Sequence, residues 1–205
     1  MKENTFSEQD SLELIAHMIR QSKKNLQVGS GNILLSYGYS ALLLSVAIYL
    51  LVHLTDNPIW SALWFLMFVP AIWIGINKKK SEVCVVTHMD KAINSTWCIL
   101  GQLFFFTTLS IAIFGYFIGN YNFALMLPLS LLYAGIGVAI TGIITDFKWM
   151  VYTPLIAFAV ATYMVVSMTT NTVVADWWNL LFGVSYLIMT IIPGHLLNHK
   201  IKESC

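Results

Sequence analysis

The chain has 205 residues, 58% of them hydrophobic and only 10% charged, with a formal net charge of +1. A soluble domain devotes about a quarter of its residues to charge because its surface faces water, so this composition excludes an ordinary soluble enzyme, and the mean hydropathy of +0.72 makes lipid the expected solvent. The near-zero net charge gives no ground for nucleic-acid binding, and Cys84, Cys98 and Cys205 lack the spacing of a disulfide or metal framework.

Residues 1–31 read as a cytoplasmic N-terminal segment. The acids Glu3, Glu8, Asp10 and Glu13 and the lack of a continuous apolar run there exclude a signal peptide. In SEQDSLELIAHMIRQSKKNLQVGSGN, Ser7 is placed to cap a helix over 8–27, with Asp10 as its capping partner. Leu12, Ile15, Met18, Ile19 and Leu26 recur at helical spacing and form one apolar stripe. Asp10, Glu13, His17, Arg20 and Lys24 take the opposite face, acids first and bases second, as the helix dipole favours. Gly29-Ser30-Gly31 is expected to break this helix and turn the chain into the first span. Such an amphipathic helix either lies in the interface, with its bases near anionic headgroups, or docks its stripe on another cytoplasmic helix.

Crossing about 30 Å of hydrocarbon takes about 20 apolar residues. Six segments qualify, at about 32–54, 58–77, 93–118, 122–144, 147–168 and 176–197. With six spans, all eleven Lys and Arg residues fall on one side: Lys2, Arg20, Lys23 and Lys24, then Lys78, Lys79, Lys80 and Lys91, then Lys148, Lys200 and Lys202. Basic residues accumulate on the cytoplasmic side, which puts both termini and the tail 198–205 there. The opposite turns pair a polar residue with aromatics: Asp56-Asn57-Pro58-Ile59-Trp60, Asn120-Tyr121-Asn122-Phe123 and Asp176-Trp177-Trp178. The polar group is expected to cap the returning helix while the rings sit at headgroup level. The predicted fold is all-α: a polytopic membrane protein of six transmembrane helices in three hairpins, preceded by the cytoplasmic amphipathic helix. The inner loop 78–92 is expected to be helical, because Val85, Val86, Met89 and Ile93 carry a stripe into the third span. It offers a docking partner for the N-terminal helix or a surface for another protein.

Chemistry is harder to find. His195 and His199 are four residues apart, a spacing that suits a metal, but no acid or cysteine lies near them to complete a site. They read better as interfacial histidines beside lysines. No nucleophile motif, phosphate-binding glycine loop or carboxylate pair occurs, and no span carries a charge near its middle, where proton-coupled and intramembrane catalytic sites place theirs. No catalytic residue, metal or cofactor is therefore expected. Among neutral polar groups at membrane depth, Gln102 is the most costly to leave unpaired and is expected to bond a neighbouring helix. Gly115 and Gly119 in GYFIG, and Gly135 and Gly137 in AGIGVAITG, permit close helix approach within the chain or between copies. Pro70, Pro128, Pro154 and Pro193 are expected to start or kink helices.

The entry segment SLELIAHMIRQSKKNLQVGSGN together with NPIWSALWFLMFVPAIW resembles small, largely uncharacterised six-span inner-membrane proteins of Bacteroidetes, best over the first hundred residues. The resemblance implies a bacterial inner membrane and the six-span plan, and it brings no activity to transfer. The plan is also similar to that of the membrane subunits of ABC-2 type exporters, in which residues 8–27 would be the elbow and 81–92 the helix that touches an ATPase. The outer loop near 169–176 lacks the re-entrant helices of that family. Three functions follow in order: a non-catalytic subunit or scaffold holding a cytoplasmic protein partner, a transporter subunit driven by a separate ATPase, and a lipid-acting enzyme.

Overall fold

The computed structural model describes residues 8–67, 69, 88–119, 123–170 and 175–203. In chain order these form α1 (Glu8–Thr55), a 3-10 helix (Pro58–Met67), α2 (His88–Ile118) and a short 3-10 turn (Phe123–Leu125). They continue with α3 (Met126–Ile144), α4 (Lys148–Tyr152), α5 (Pro154–Thr169), α6 (Trp178–Tyr186), a π-helical segment (Leu187–Ile191) and α7 (Ile192–Glu203). No strand occurs among the described residues. Five stretches are long and apolar enough to cross a membrane: Leu34–Thr55, Lys91–Ile118, Phe123–Ile144, Lys148–Thr169 and Trp178–His199. The protein is therefore an all-helical chain compatible with lipid contact. Of the expected span at 58–77 the described part is the 3-10 helix, and the remainder, like Val85 and Val86, lies outside the described residues.

The first surprise is α1, a single helix of 48 residues. The break expected at Gly29-Ser30-Gly31 is absent, so the amphipathic segment and the first span share one rod about 70 Å long at 1.5 Å rise per residue. Glycine permits a turn without imposing one. Each costs a helix about 1 kcal/mol relative to alanine, and with helix formers on both sides that penalty does not outweigh an unbroken backbone ladder. Ser7, the expected cap, lies outside the described residues.

Prolines and turn residues set the other boundaries. Pro154 opens α5 at its first position, where its missing N–H is not needed. The α3–α4 turn is closed by Phe147 N–H donating to Gly142 O at 2.9 Å, with Asp146 in the left-handed region at φ 53°. Gly142 is required there, because a Cβ would lie 2.8 Å from the carbonyl carbon of Met150. Pro193 lies two residues after the end of the π segment. It supplies no N–H for an α-type bond to residue 189, and its ring would press on that carbonyl. The chain answers by widening one turn: Ile192 N–H donates to Leu187 O, five residues back.

Packing centres on α3, α5 and the rod made by α6, the π segment and α7. The span half of α1 lies along that rod, and α2 has its principal contact with α3. Buried residues of this core include Leu131, Val138, Met150, Ala157, Ala161, Met164, Trp178 and Met189.

Candidate functional site

The most structured feature is the seam between the span half of α1 and the C-terminal rod. On α1 the buried positions are Leu34, Gly38, Ala41, Ser45 and Ile48, spaced alternately four and three apart. This is the repeat that keeps one helix edge against an antiparallel or parallel neighbour. Small residues at 38, 41 and 45 let the backbones approach. A Cβ added to Gly38 would lie 2.5 Å from Thr190 Oγ1 and 2.7 Å from Ile191 Cγ1, and one added to Gly183 would lie 2.9 Å from Ser45 Cβ. As the number rises along α1 from 38 to 45, the partner number falls from 190 to 183, so the two helices run antiparallel.

Both ends of the seam are pinned by polar contacts. At the Thr55 end, His53 Nδ1 lies 3.7 Å from Asp176 Oδ2, and its ring stacks on Tyr49 at a centroid distance of 5.6 Å. The 3-10 helix joins there: Trp64 Nε1 donates to Asn179 Oδ1 at 3.2 Å, while Asn179 Nδ2 donates to the backbone oxygen of Asp176 at 3.1 Å. Trp64 also packs edge-on against Phe182 at 4.6 Å. At the Leu34 end, Tyr39 OH and His195 Nε2 are 2.7 Å apart. Between the ends, the buried hydroxyls turn back onto their own helices. Ser45 donates to Leu42 O at 2.9 Å, Ser185 to Leu181 O at 2.8 Å and Thr190 to Tyr186 O at 2.6 Å.

Among the described residues no buried side-chain nitrogen or oxygen lacks a hydrogen-bond partner. A buried polar group without a partner costs about 1–3 kcal/mol, and in the described part of the seam every such group is engaged with protein, so these contacts hold the helices in register.

The residues singled out from sequence are scattered. Leu12 is exposed at 67%, Met89 is half-buried, and the side chains of Ile15, Met18, Ile19 and Leu26 lie outside the description. Gly135 packs under Phe158 and Pro154, and Gly137 under Trp97 and Leu100, as close-approach positions should. Gly115 is buried on α2. Gly119 departs from the packing role: it is exposed, with φ 74° and nothing within 4 Å of an added Cβ. Its N–H donates to Tyr116 O at 3.3 Å, so it ends α2 as a left-handed cap. Gln102 is exposed too, and its amide bonds Cys98 Sγ on its own helix at 3.8 Å instead of a neighbour. His195 is held by Tyr39, and no group of three or more metal-ligating side chains occurs among the described residues. In the turn after α1, Asn57 Oδ1 accepts from Ile59 N–H at 3.0 Å and caps the 3-10 helix.

Sequence reasoning missed the seam itself, though the small residues at Gly38, Ala41, Ser45, Gly183 and Ser185 were available as a signal. The His53–Asp176 contact is not visible in the sequence either, because the two residues lie more than a hundred positions apart. Compared with protein-family models, curated proteins and solved structures, the chain matches none.

Proposed function

We propose that this chain is a non-catalytic membrane subunit that holds a cytoplasmic protein partner on its N-terminal helix, in a bacterial inner membrane with both termini inside. The observation that carries the reading is the continuity of α1 from Glu8 to Thr55. Residues 8–33 precede the span on the same rod, and the span is locked to the C-terminal helices. A partner seated on the front of α1 therefore acts directly on the membrane core. The exposure of Leu12 favours a stripe offered outward. The buried hydroxyls of Ser45, Ser185 and Thr190 each bond the backbone of their own helix, which supports a packing role for the seam.

The antiparallel seam supports the six-span count. Successive spans alternate in direction, so an odd number would leave the first and last parallel. The first and last described spans run in opposite directions. An even count would put one more crossing between Thr55 and Lys91, in keeping with 58–77 as the second span. The same alternation puts residues 34 and 197 on one side, the side on which the sequence gathers its lysines.

Two measurements test this reading. Reporter fusions at residues 57, 121 and 172 should all report outside, and a cytoplasmic signal at any one overturns the topology. The triple variant Leu12→Ser, Ile15→Ser, Ile19→Ser should lose its partner in a mild-detergent pull-down while remaining inserted. Retention of every partner would reduce the helix to an anchor. Recovery of a stoichiometric ATPase would favour the exporter-subunit reading, with 8–27 as elbow and 81–92 as coupling helix.

A further inference from the structure

The two edges of α2 differ in kind. The edge towards α3 is well defined. Trp97 Nε1 donates to Thr141 Oγ1 at 3.1 Å, Leu100 reaches Gly137, Phe104 packs edge-on to Tyr133, and Thr107 Oγ1 lies 2.8 Å from Tyr133 OH. At 100° per residue the opposite edge is Ser95, Cys98, Gln102, Phe105 and Leu109, all exposed. Their spacing of three and four residues is the heptad repeat of helices that pair along a shared seam.

Gln102 sits within about two residues, or about 3–4 Å, of the midpoint of the span Lys91–Ile118. Its one hydrogen bond is the long contact from Nε2 to Cys98 Sγ, and among the described residues Oε1 has no partner. Lipid tails offer neither donor nor acceptor, so an amide at this depth drives its helix towards a group that has both. A primary amide is such a group: it gives two N–H donors and one carbonyl acceptor. Across a two-fold axis Gln102 would meet Gln102, each donating to the other, which makes the edge self-complementary as a two-fold interface requires. Ser95 and Cys98 are small enough for close approach, and Gly101 beside them has open space where a Cβ would go. We propose that α2 pairs with α2 of a second copy of this chain through this seam, with the two Gln102 amides bonded at its centre. The proposal does not depend on whether a cytoplasmic partner exists.

The test uses the full chain in native membranes, with Cys84→Ser and Cys205→Ser leaving Cys98 as the only cysteine. Oxidation by copper phenanthroline should give a species at twice the 23.1 kDa protomer mass. Moving the thiol to the lipid-facing side of α5, by adding Cys98→Ser and Leu155→Cys, should leave the chain monomeric. Gln102→Leu should lower the cross-linked fraction several-fold without loss of helix content, and Gln102→Asn should restore much of it. The proposal is overturned by no dimer at Cys98, by a Cys98 adduct of another mass, or by a yield indifferent to Gln102→Leu. A single copy per particle in lipid nanodiscs overturns it as well.

Discussion

The C-terminal span and α2 share the property that marks a membrane helix and differ in the property that makes a core. Their mean hydropathies are 1.8 and 1.9, yet 56% of the residues in one window are buried against 11% in the other. Hydropathy records what a segment tolerates as solvent, and both tolerate lipid. Burial among helices is decided by shape and by polar fit, since lipid tails are as apolar as leucine. Gly183, Ser185 and Thr190 give the C-terminal rod a narrow edge, and Gly38 and Ser45 give α1 a matching one. On α2, Phe105, Phe106, Phe114 and Phe117 stand outward and no narrow edge of that kind meets α1.

The contrast can be broken at two glycines, one in each region. Gly183→Val forces a side chain against Ser45 Cβ, which is fixed to its own backbone and cannot turn aside. Overpacking of this kind costs about 1–3 kcal/mol, so thermal unfolding in detergent should show a clear drop. Gly101→Val adds the same atoms where nothing lies within 4 Å, and the monomer should change by less than about 0.5 kcal/mol. Equal losses for the two variants would mean that the seam does not hold the fold together.

This difference also explains what could be read from the chain. Five of the six expected spans appear as long apolar helices, because apolar length is local and additive along the sequence. The small-residue pairs on α3 were legible for the same reason, since Gly135 and Gly137 meet Phe158, Pro154, Trp97 and Leu100 wherever those helices sit together. The seam was not legible as a pair, because matching Gly38 to Thr190 and Ser45 to Gly183 needs the antiparallel register first. Gln102 was read as packing glue on polarity alone, and no local rule says which way a helix turns its one amide. Gly29 and Gly31 were overread, because a residue that allows a break was taken to cause one.

A smaller effect separates the polar fit from the steric one. Asn179 is buried, with its carbonyl accepting from Trp64 and its amide donating to Asp176 O. Asn179→Ala leaves the indole N–H of Trp64 without its acceptor, at a cost of about 1–2 kcal/mol. Trp64→Phe leaves Asn179 Oδ1 without its donor, but Asn179 Nδ2 still bonds Asp176 O and a smaller ring still faces Phe182, so it should cost less, about 0.6 kcal/mol on the scale of hydrogen bonds between membrane helices. If the order is reversed, the ring contact and not the amide secures the 3-10 helix to the rod.

The smallest effect tests the π segment. In an unbroken α-helix His195, twelve residues after Gly183, would sit about 120° round the rod from it. A π turn holds back about one residue of rotation, which returns His195 to within about 30° of the Gly183 edge, close to Tyr39. The bulge next to Pro193 thus sets the register at the Leu34 end of the seam. Tyr39→Phe removes only the hydroxyl at an exposed contact, so stability should fall by no more than about 0.5 kcal/mol. Pro193→Ala acts upstream of that contact: it restores an N–H at 193 and lets the α register resume, turning His195 away. With Cys84, Cys98 and Cys205 changed to Ser, a bifunctional thiol reagent long enough to replace the two rings should link Tyr39→Cys to His195→Cys efficiently with Pro193 and less so when Pro193→Ala is added. An unchanged yield would show that packing by α1, and not the proline, keeps the rod wide at this turn.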